Sequence, residues 1–431
     1  METHDVVVIG GGAAGFFGAI RYAECCRENG QVANVMLAEK TEKLLAKVLV
    51  SGGGRCNVTH ACFDPQQLSG FYPRGGSALR GAFTRFQPKD TVQWFKDRGV
   101  ELKTEKDGRM FPVTNRSTTI ADCLLKAAEK SGVTVRTRLS LAGFSLEQGA
   151  EYPLRLTFQD HSVADTVQVQ AKALLVASGG TKAMHELLTR NGVSMVPDVP
   201  SLFTFVVNDE RIEGIPGLSV DQAAVTFCEP DRQYPVPAQT GAILVTHWGL
   251  SGPGILRLSA WGARRLAARQ YRDRIRINWV QPKNADDVFD VLAKIRKDAV
   301  YGRKTALANP AFSQISGRMW RKFISACGVS ENARWTDLNN HDLRRIAESL
   351  TGMEFVVEGK GVYKDEFVTA GGVDLGQVNF RDMQSRQLPG VFFAGEVLDV
   401  DGVTGGFNFQ NAWTTAWIAG GGMHERVFGA G

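Results

Sequence analysis

"VVVIGGGAAGFFGAI", Val6 to Ile20, carries an apolar run straight into three glycines and then into a helix pattern of small residues. A glycine at a strand's end gives up packing and costs backbone entropy, so something else needs the space. Asp5 to Ile9 predicts a buried parallel strand. Gly10, Gly12 and Gly15 then fit G-x-G-x-x-G, and Ala13 to Arg27 predicts a helix with a small inner face. That order gives each glycine a task. Gly10 makes the tight turn, Gly12 lets backbone approach a pyrophosphate, and Gly15 lets helix and strand pack closely. The helix start, at Ala13 and Ala14, faces the phosphate charge.

A second strand, Asn34 to Leu37, runs out at Glu39, 24 residues past Gly15. A carboxylate there can accept hydrogen bonds from both ribose hydroxyls of an adenosine. Glu39 and the adjacent Lys40 are therefore candidate nucleotide contacts. The fingerprint by itself leaves NAD and FAD open.

The totals set the frame. A chain of 431 residues predicts two or three domains. Its 43% hydrophobic and 22% charged residues suit a globular protein, and its 47 glycines are clustered. The net charge of +5 is small and spread out, and "RQYRDRIRIN" (Arg269 to Asn278) alternates as a strand surface would. Nucleic acid is not an expected partner on that balance. Seven cysteines, an odd number with no C-x-x-C, argue against a disulfide framework or a structural metal site and for a reducing, cytoplasmic compartment. The N-terminal "METHD" lacks a basic flank, and glycines break the apolar run after it, so neither a signal peptide nor a membrane span is expected.

Near the other end, "LPGVFFAGEVLDVDGVTGGFNFQNAWTTAWIAG" (Leu388 to Gly420) predicts a strand at Val391 to Ala394, a glycine-rich loop and a helix from near Asn408. It resembles the closing segment of FAD-dependent oxidoreductases of the glutathione-reductase type. The resemblance implies that Gly395-Glu396 holds a ribitol hydroxyl. It also implies that the helix start, from Gly406 through Phe407, Asn408 and Phe409 to Gln410, points at the flavin. Reduced flavin carries negative charge at N1 and the C2 carbonyl, which free amides at a helix start stabilise. "KALLVASGGTKAM" (Lys172 to Met184) looks like the strand that returns the chain to such a domain, ending at Ala177, Ser178, Gly179 and Gly180. Runs near 133–138, 153–158 and 165–170 suit the antiparallel meander that covers these sheets.

Four motifs in order, "KVLVSGGGRCNVTH" (Lys47 to His60), "DGRMFP" (Asp107 to Pro112), "THWGLSGPGILRLS" (Thr246 to Ser259) and "AGEVLDVDGVTGGFN" (Ala394 to Asn408), make the resemblance specific. They resemble the bacterial flavoprotein family that includes the bile-acid reductase BaiN and YhiN, over essentially the whole chain. The family usually reads R-C-N-x-T-N where this chain has His60 in place of the last Asn. The loop Ser51 to Asn57 reads as one whose amides, at Ser51, Gly52 and Gly54, and Arg55 line the adenosine–pyrophosphate channel with Asn57 near the flavin, or else as a plain turn; Lys47 before it is a further candidate cofactor contact. Cys56 belongs to the same stretch and is expected to pack as a small apolar residue. A redox pair of Cys56 with Cys62 is not expected. Five residues separate them, against four in flavin disulfide reductases, and no second dinucleotide fingerprint is present.

The fold expected is α/β: an FAD-binding Rossmann-like domain of the glutathione-reductase type, with an inserted β-barrel and a small helical domain. The expected boundaries are 1–190 with 366–431 for the FAD domain, 191–283 with 353–365 for the barrel, and 284–352 for the helices. Val288, Val291, Leu292 and Ile295 show helical spacing in the last of these.

Two residues are candidates for catalysis. His247, in the "TH" before a Gly-Ser-Gly turn, can serve as a proton donor. Arg109 of "DGRMFP" can hold a substrate carboxylate or carbonyl, with an ordinary salt bridge to Asp107 or Glu105 as the alternative. Trp248 and Tyr72 can wall a pocket or simply pack. The family implies an FAD-dependent oxidoreductase that moves hydride through flavin N5, with NADH or NADPH as a transient donor in the absence of a dedicated domain for it. A small-molecule substrate, an activated alkene or an amine, would bind beside the insert. An RNA-modifying flavoprotein and a non-catalytic redox sensor are the rivals. The oligomeric state is not legible.

Overall fold

The computed structural model describes residues 2–361 and 368–429. The chain divides into two units, Met1–Asp198 with Thr369–Gly431, and Val199–Val368. The expected boundary between 365 and 366 lies outside the described residues, as do the last two residues of the expected FAD segment.

The first unit is built on the strand that opens the sequence. β1 (Glu2–Ile9) leads through the glycine turn into α1 (Ala13–Glu28), then β2 (Val35–Ala38) and α2 (Ala46–Gly54). β3 (Thr59–His60), β4 (Leu102–Thr104) and β5 (Arg109–Pro112) form a small antiparallel sheet. β6 (Thr134–Arg136), β7 (Leu139–Leu146), β8 (Leu154–Asp160) and β9 (Asp165–Val176) complete the amino-terminal strands. In the main sheet, β1 pairs in parallel with β2 on one side and β9 on the other, and β6 joins β2. Val391–Phe393 pairs in parallel with β9, so the carboxy-terminal segment enters the same sheet. Val6, Val7 and Val8 are buried on both faces, as a central parallel strand requires.

The meander is β7–β8–β9, not the three runs expected. The run near 133–138 is β6, which extends the parallel sheet. The other two runs do lie in the meander, and the last is continuous with the "KALLV" strand. β9 is 12 residues long. Its first half pairs antiparallel with β8, and its second half lies between β1 and Val391–Phe393. No turn residue interrupts Asp165 to Val176, so one strand serves both layers.

The long C-terminal helix, Phe407–Phe428, lies along α1. Small residues let the two helices approach. A Cβ on Gly18 would come within 3.5 Å of the Ala416 carbonyl oxygen, and one on Gly420 within 3.0 Å of that of Gly18. Among the described residues, no helix is long and apolar enough to cross a membrane.

The second unit holds a seven-stranded antiparallel sheet. Its order is Met353–Val357, Asp273–Asn278, Ser219–Phe227, Gln239–Thr246, Gly249–Ser251, Phe205–Val206 and Gly359–Lys360. The two outermost strands are consecutive in the chain, separated only by Glu358, whose amide donates to Val206 O at 2.9 Å. The sheet therefore closes on itself as the inserted barrel. Helices Ala285–Lys297, Gly317–Ala326 and Asn340–Gly352 pack on it. Their Val288, Leu292, Trp320, Phe323, Leu343 and Ile346 join Val220, Ile243, Ile275 and Phe355 of the barrel in one continuous core. The sheet and these helices thus share one core.

One ion pair is sealed in that body. Arg265 and Asp273 are 2% and 4% exposed, 2.7 Å apart, and the guanidinium also donates to Glu229 O and stacks on Phe227. Arg269 also donates to Asp273 at 3.2 Å, so it is loss of Asp273 that leaves the buried Arg265 charge without a carboxylate, at a cost of about 3–5 kcal/mol. Asp273→Ala should lower the urea midpoint of this unit sharply. Arg265→Met with Asp273→Leu together should recover most of the loss, measured by circular dichroism.

Candidate functional site

At the end of β1 the backbones come closer than any side chain allows. A Cβ on Gly15 would sit 1.9 Å from Gly10 O, and one on Gly10 would sit 2.5 Å from Ala177 O. Gly10 and Gly15 are therefore buried packing glycines that set the α1 start against the ends of β1 and β9. Gly12 differs: a Cβ there meets nothing within 4 Å, so the space in front of it is open. The amides of Gly12, Ala13 and Ala14 donate to no acceptor among the described residues. Open space, unpartnered amides and the positive end of a 16-residue helix fit an anion such as a pyrophosphate.

Glu39 stands beside this turn. Its carboxylate accepts from Gly11 N at 2.8 Å and from the amide and hydroxyl of Thr41, each at 2.9 Å. These bonds fix its direction and leave lone pairs for a hydroxyl ligand. Lys40 is exposed next to it.

Lys47 of α2 pairs with Glu396, 349 residues further on. Gly179 lies against the same carboxylate, and Gly180 against the Glu396 carbonyl. Ser178, Gly179 and Gly180 are half-buried here, while Ala177 is packed under Gly10. Three stretches singled out in the sequence, at 47, 177–180 and 395–396, meet at this point. Gly395 is buried, and its amide donates to Thr415 Oγ1 at 2.9 Å.

After Lys47, α2 departs from helix geometry at Ser51, and Gly52, Gly53 and Gly54 all take positive φ. Glycines make this exposed left-handed turn accessible. The turn aims the chain so that Asn57 lies between Gly406 N (2.9 Å) and Thr59 O (3.1 Å). Arg55 turns away from it. Its guanidinium donates to Glu105 at 2.6 Å and stacks 4.0 Å over Phe111.

Gly406 caps the C-terminal helix, and the amides of Phe407, Asn408 and Phe409 donate to no acceptor among the described residues. This is a second helix start with free donors. Around it, Tyr72 Oη donates to Phe407 O at 2.7 Å, and Asn408 exchanges two hydrogen bonds with the Gly402 backbone. Tyr72 is thus a buried brace, not a pocket wall. Gln410 is wholly buried. It accepts from Thr59 (2.6 Å) and Thr91 (2.9 Å) and donates to Thr414 (3.0 Å), so it positions the helix and has no surface left for a ligand. Cys56 is buried likewise, and burial pushes its thiol up to about 12.

His60, the residue that departs from the family pattern, stacks on Phe407 with ring centroids 4.7 Å apart, and Phe407 stacks on Phe71 at 4.5 Å. The Nε2 of His60 is 3.1 Å from Asp107 O. It wedges the 105–109 turn against the helix start. Nothing local in the sequence signals that task, nor those of Thr59, Thr91 and Glu105, because each partner is distant along the chain.

Residues 4–422 match the family described as HI0933-like protein Rossmann domain. The chain belongs to the HI0933-like family. It is 26% identical to a ribosomal RNA dihydrouridine synthase of Escherichia coli, covering 97% of both chains. It is 25% identical to a 3-dehydro-bile acid delta(4,6)-reductase of Clostridium scindens, over 97% of this chain and 98% of that one. Among solved structures, the 3-ketosteroid delta1-dehydrogenase of Sterolibacterium denitrificans aligns over 98% of this chain and all of that one, with a TM-score of 0.51 at 12% identity. That likeness shows the fold alone, the Rossmann-type fold of FAD-dependent enzymes.

The two catalytic candidates of this HI0933-like chain fare differently. Arg109 Nε donates to Asp107 at 2.7 Å and its Nη2 to Glu105 at 3.3 Å, so the salt-bridge alternative is the arrangement present. Arg55 and Arg109 share Glu105 and flank Phe111. Against the opposing effect of burial, the Arg109 backbone N–H and then its guanidinium hold the Asp107 carboxyl below its usual range. His247 lies in the second unit, exposed on the turn before Gly249–Ser251, with no hydrogen bond to any described residue.

Two outcomes follow from these contacts. Gly15→Ala should destabilise the apoprotein by about 2 kcal/mol or more, because backbone must move, while Gly12→Ala should leave its melting temperature unchanged. Differential scanning fluorimetry separates them. All seven cysteines are free. Iodoacetamide at about pH 8 should leave Cys56 unmodified in the native protein and label it in denaturant, because neither thiolate nor access is available. Mass spectrometry reads this directly.

Proposed function

We propose that this chain is an FAD-dependent reductase of a carbon–carbon double bond conjugated to a carbonyl. The observation that carries it is the pair of helix starts with free amides, one from each end of the sequence, linked by Lys47 and Glu396. In this reading Gly12, Ala13 and Ala14 bind the pyrophosphate of FAD. Glu39 takes the ribose hydroxyls, and Glu396, with Lys47 beside it, takes the ribitol. The amides of Phe407 to Phe409 face the flavin pyrimidine, with Asn57 holding the cap. Bound FAD supplies hydride transfer at flavin N5. NADH or NADPH is the proposed donor, docking transiently.

The reaction class draws on the full-length relatives. A dihydrouridine differs from uridine by two hydrogens across a double bond conjugated to a carbonyl. A delta(4,6)-reductase of a 3-keto steroid acts on the same kind of bond. The shared chemistry is hydride to one carbon and a proton to the other, and it needs an acid. His247 is the proposed acid: it is exposed, has no hydrogen bond to any described residue and sits in a family motif. Arg109 is too committed to Asp107 and Glu105 to be the carbonyl holder, and is better placed as a brace for the 105–111 hairpin.

The test begins with the purified protein. It should be yellow, and without oxygen NADH or NADPH should bleach the flavin. A conjugated enone should then restore the colour. Bleaching by amines alone, with peroxide formed in air, would replace this reading with an oxidase. His247→Gln should leave bleaching intact and slow enone reduction by about 100-fold or more, the usual scale for a lost general acid. Gly12→Ala should weaken FAD retention in a protein that still folds.

A further inference from the structure

The meander of the first unit begins with an edge strand of an uncommon kind. β7 pairs with β8 on one side and with no other strand among the described residues. The other margins of that sheet are short: β6 has three residues, and Val378–Asn379 has two. β7 has eight, "LSLAGFSL", with no charge and no proline. A long uncharged edge invites pairing with another chain. At its two ends, Glu147 N donates to Pro153 O and His161 N donates to Arg138 O, each at 2.8 Å. Alternation along an antiparallel ladder then turns the backbone groups of Leu141, Phe144 and Leu146 outward. Only the first outward amide of the edge is taken within the chain: Leu139 N donates to Glu39 O at 2.9 Å.

The strand is also its own complement. About the point between Ala142 and Gly143, Leu139 matches Leu146, Ser140 matches Ser145 and Leu141 matches Phe144. The flanking residues match in charge, Arg138 with Glu147. A regular strand could not use this symmetry, because residues an odd number apart lie on opposite faces. β7 carries an extra residue between Leu141 and Gly143, where its register against β8 shifts. Leu139, Leu141, Phe144 and Leu146 therefore stand opposite Asp160, Phe158, Leu156 and Leu154, all on one face. Leu154, Leu156 and Phe158 are buried, whereas Leu141 and Leu146 are half-buried at the open margin. Ala142 and Ser145 are exposed. The bulge thus brings each residue and its match to the same side of the sheet.

We propose that β7 is the contact surface for a second copy of this chain, paired antiparallel with itself about a two-fold axis. Leu141 of one copy exchanges two backbone hydrogen bonds with the partner's Phe144, and Phe144 with the partner's Leu141. The ladder stops at Leu139, whose amide Glu39 O already holds. Charge complementarity selects this occupant and this direction. Arg138 pairs with Glu42, and Glu147 with Arg155, all four exposed. Antiparallel pairing sets the first of these pairs beside the partner's second, cation to anion. Parallel pairing sets Arg138 against Arg138 and Glu147 against Glu147, which is repulsive. The contact uses the open edge of each copy, so assembly closes at two. β7, β8 and the first half of β9 become half of a continuous six-stranded sheet, with Leu141 and Leu146 covered. One strand pair is a small interface, so the dimer dissociates at roughly micromolar concentration. It involves neither helix start and stands apart from the reductase reading.

The experiment is sedimentation velocity on the full chain from about 1 to 100 µM. Wild type should pass from monomer to dimer in that range and form nothing larger. Ala142→Lys sets two lysines side by side across the axis and should raise the dissociation constant about tenfold or more. Its melting temperature should match wild type, because the side chain at 142 is exposed. A second variant tests the register. Ala142→Cys should form an intermolecular disulfide under mild oxidation, since the two copies of residue 142 meet beside the axis. Val163→Cys, 69% exposed on the hairpin between β8 and β9, should not. A wild type that stays monomeric, unchanged association in Ala142→Lys, or cross-linking no faster at 142 than at 163 would each overturn the proposal.

Discussion

Everything in the first unit depends on backbones that touch where β1, β9 and the start of α1 meet. Gly15 lies against Gly10, and Gly10 against Ala177, with no room for a methyl group between them. That contact fixes the start of α1 over the sheet edge. The same edge receives Val391–Phe393 on the far side of β9, followed at once by Gly395 and Glu396. Two helices that are almost 400 residues apart in their starting positions therefore begin at one edge of one sheet, both with free amides.

Several polar groups around the second helix start are satisfied by one another, while the amides of Phe407 to Phe409 donate to no acceptor among the described residues. Tyr72 takes the Phe407 carbonyl, Asn57 takes the Gly406 amide, and Asn408 folds back on Gly402. Gln410, Thr59, Thr91 and Thr414 form a closed network behind them. A buried network of this kind rigidifies a site when every member is satisfied. The hydrogen bonds that define the site are thus of two kinds: those completed within the protein and those held open for a ligand.

Charge is divided along similar lines. Lys47 with Glu396, Arg55 and Arg109 with Glu105, and Arg265 with Asp273 are closed pairs that hold structure together. Arg318 and Arg321, on the outward side of helix Gly317–Ala326, form no ion pair with a described residue.

The sequence by itself determined the elements whose cause is local. The turn at Gly10 to Gly15, the acid at Glu39, the glycine turn before Asn57 and the helix start near Asn408 are each written in a few consecutive residues, because strand ends, positive φ and helix caps are set by neighbours. Tertiary structure decided what the polar side chains do. That Arg109 braces a hairpin, that Gln410 is sealed in a threonine network, that His60 wedges against Phe407 and that β9 serves two layers all depend on partners tens to hundreds of residues away. Periodicity reports which face of an element is apolar; it carries no information on which distant donor or acceptor will lie within 3 Å of a given side chain, and hydrogen bonding is decided at that distance.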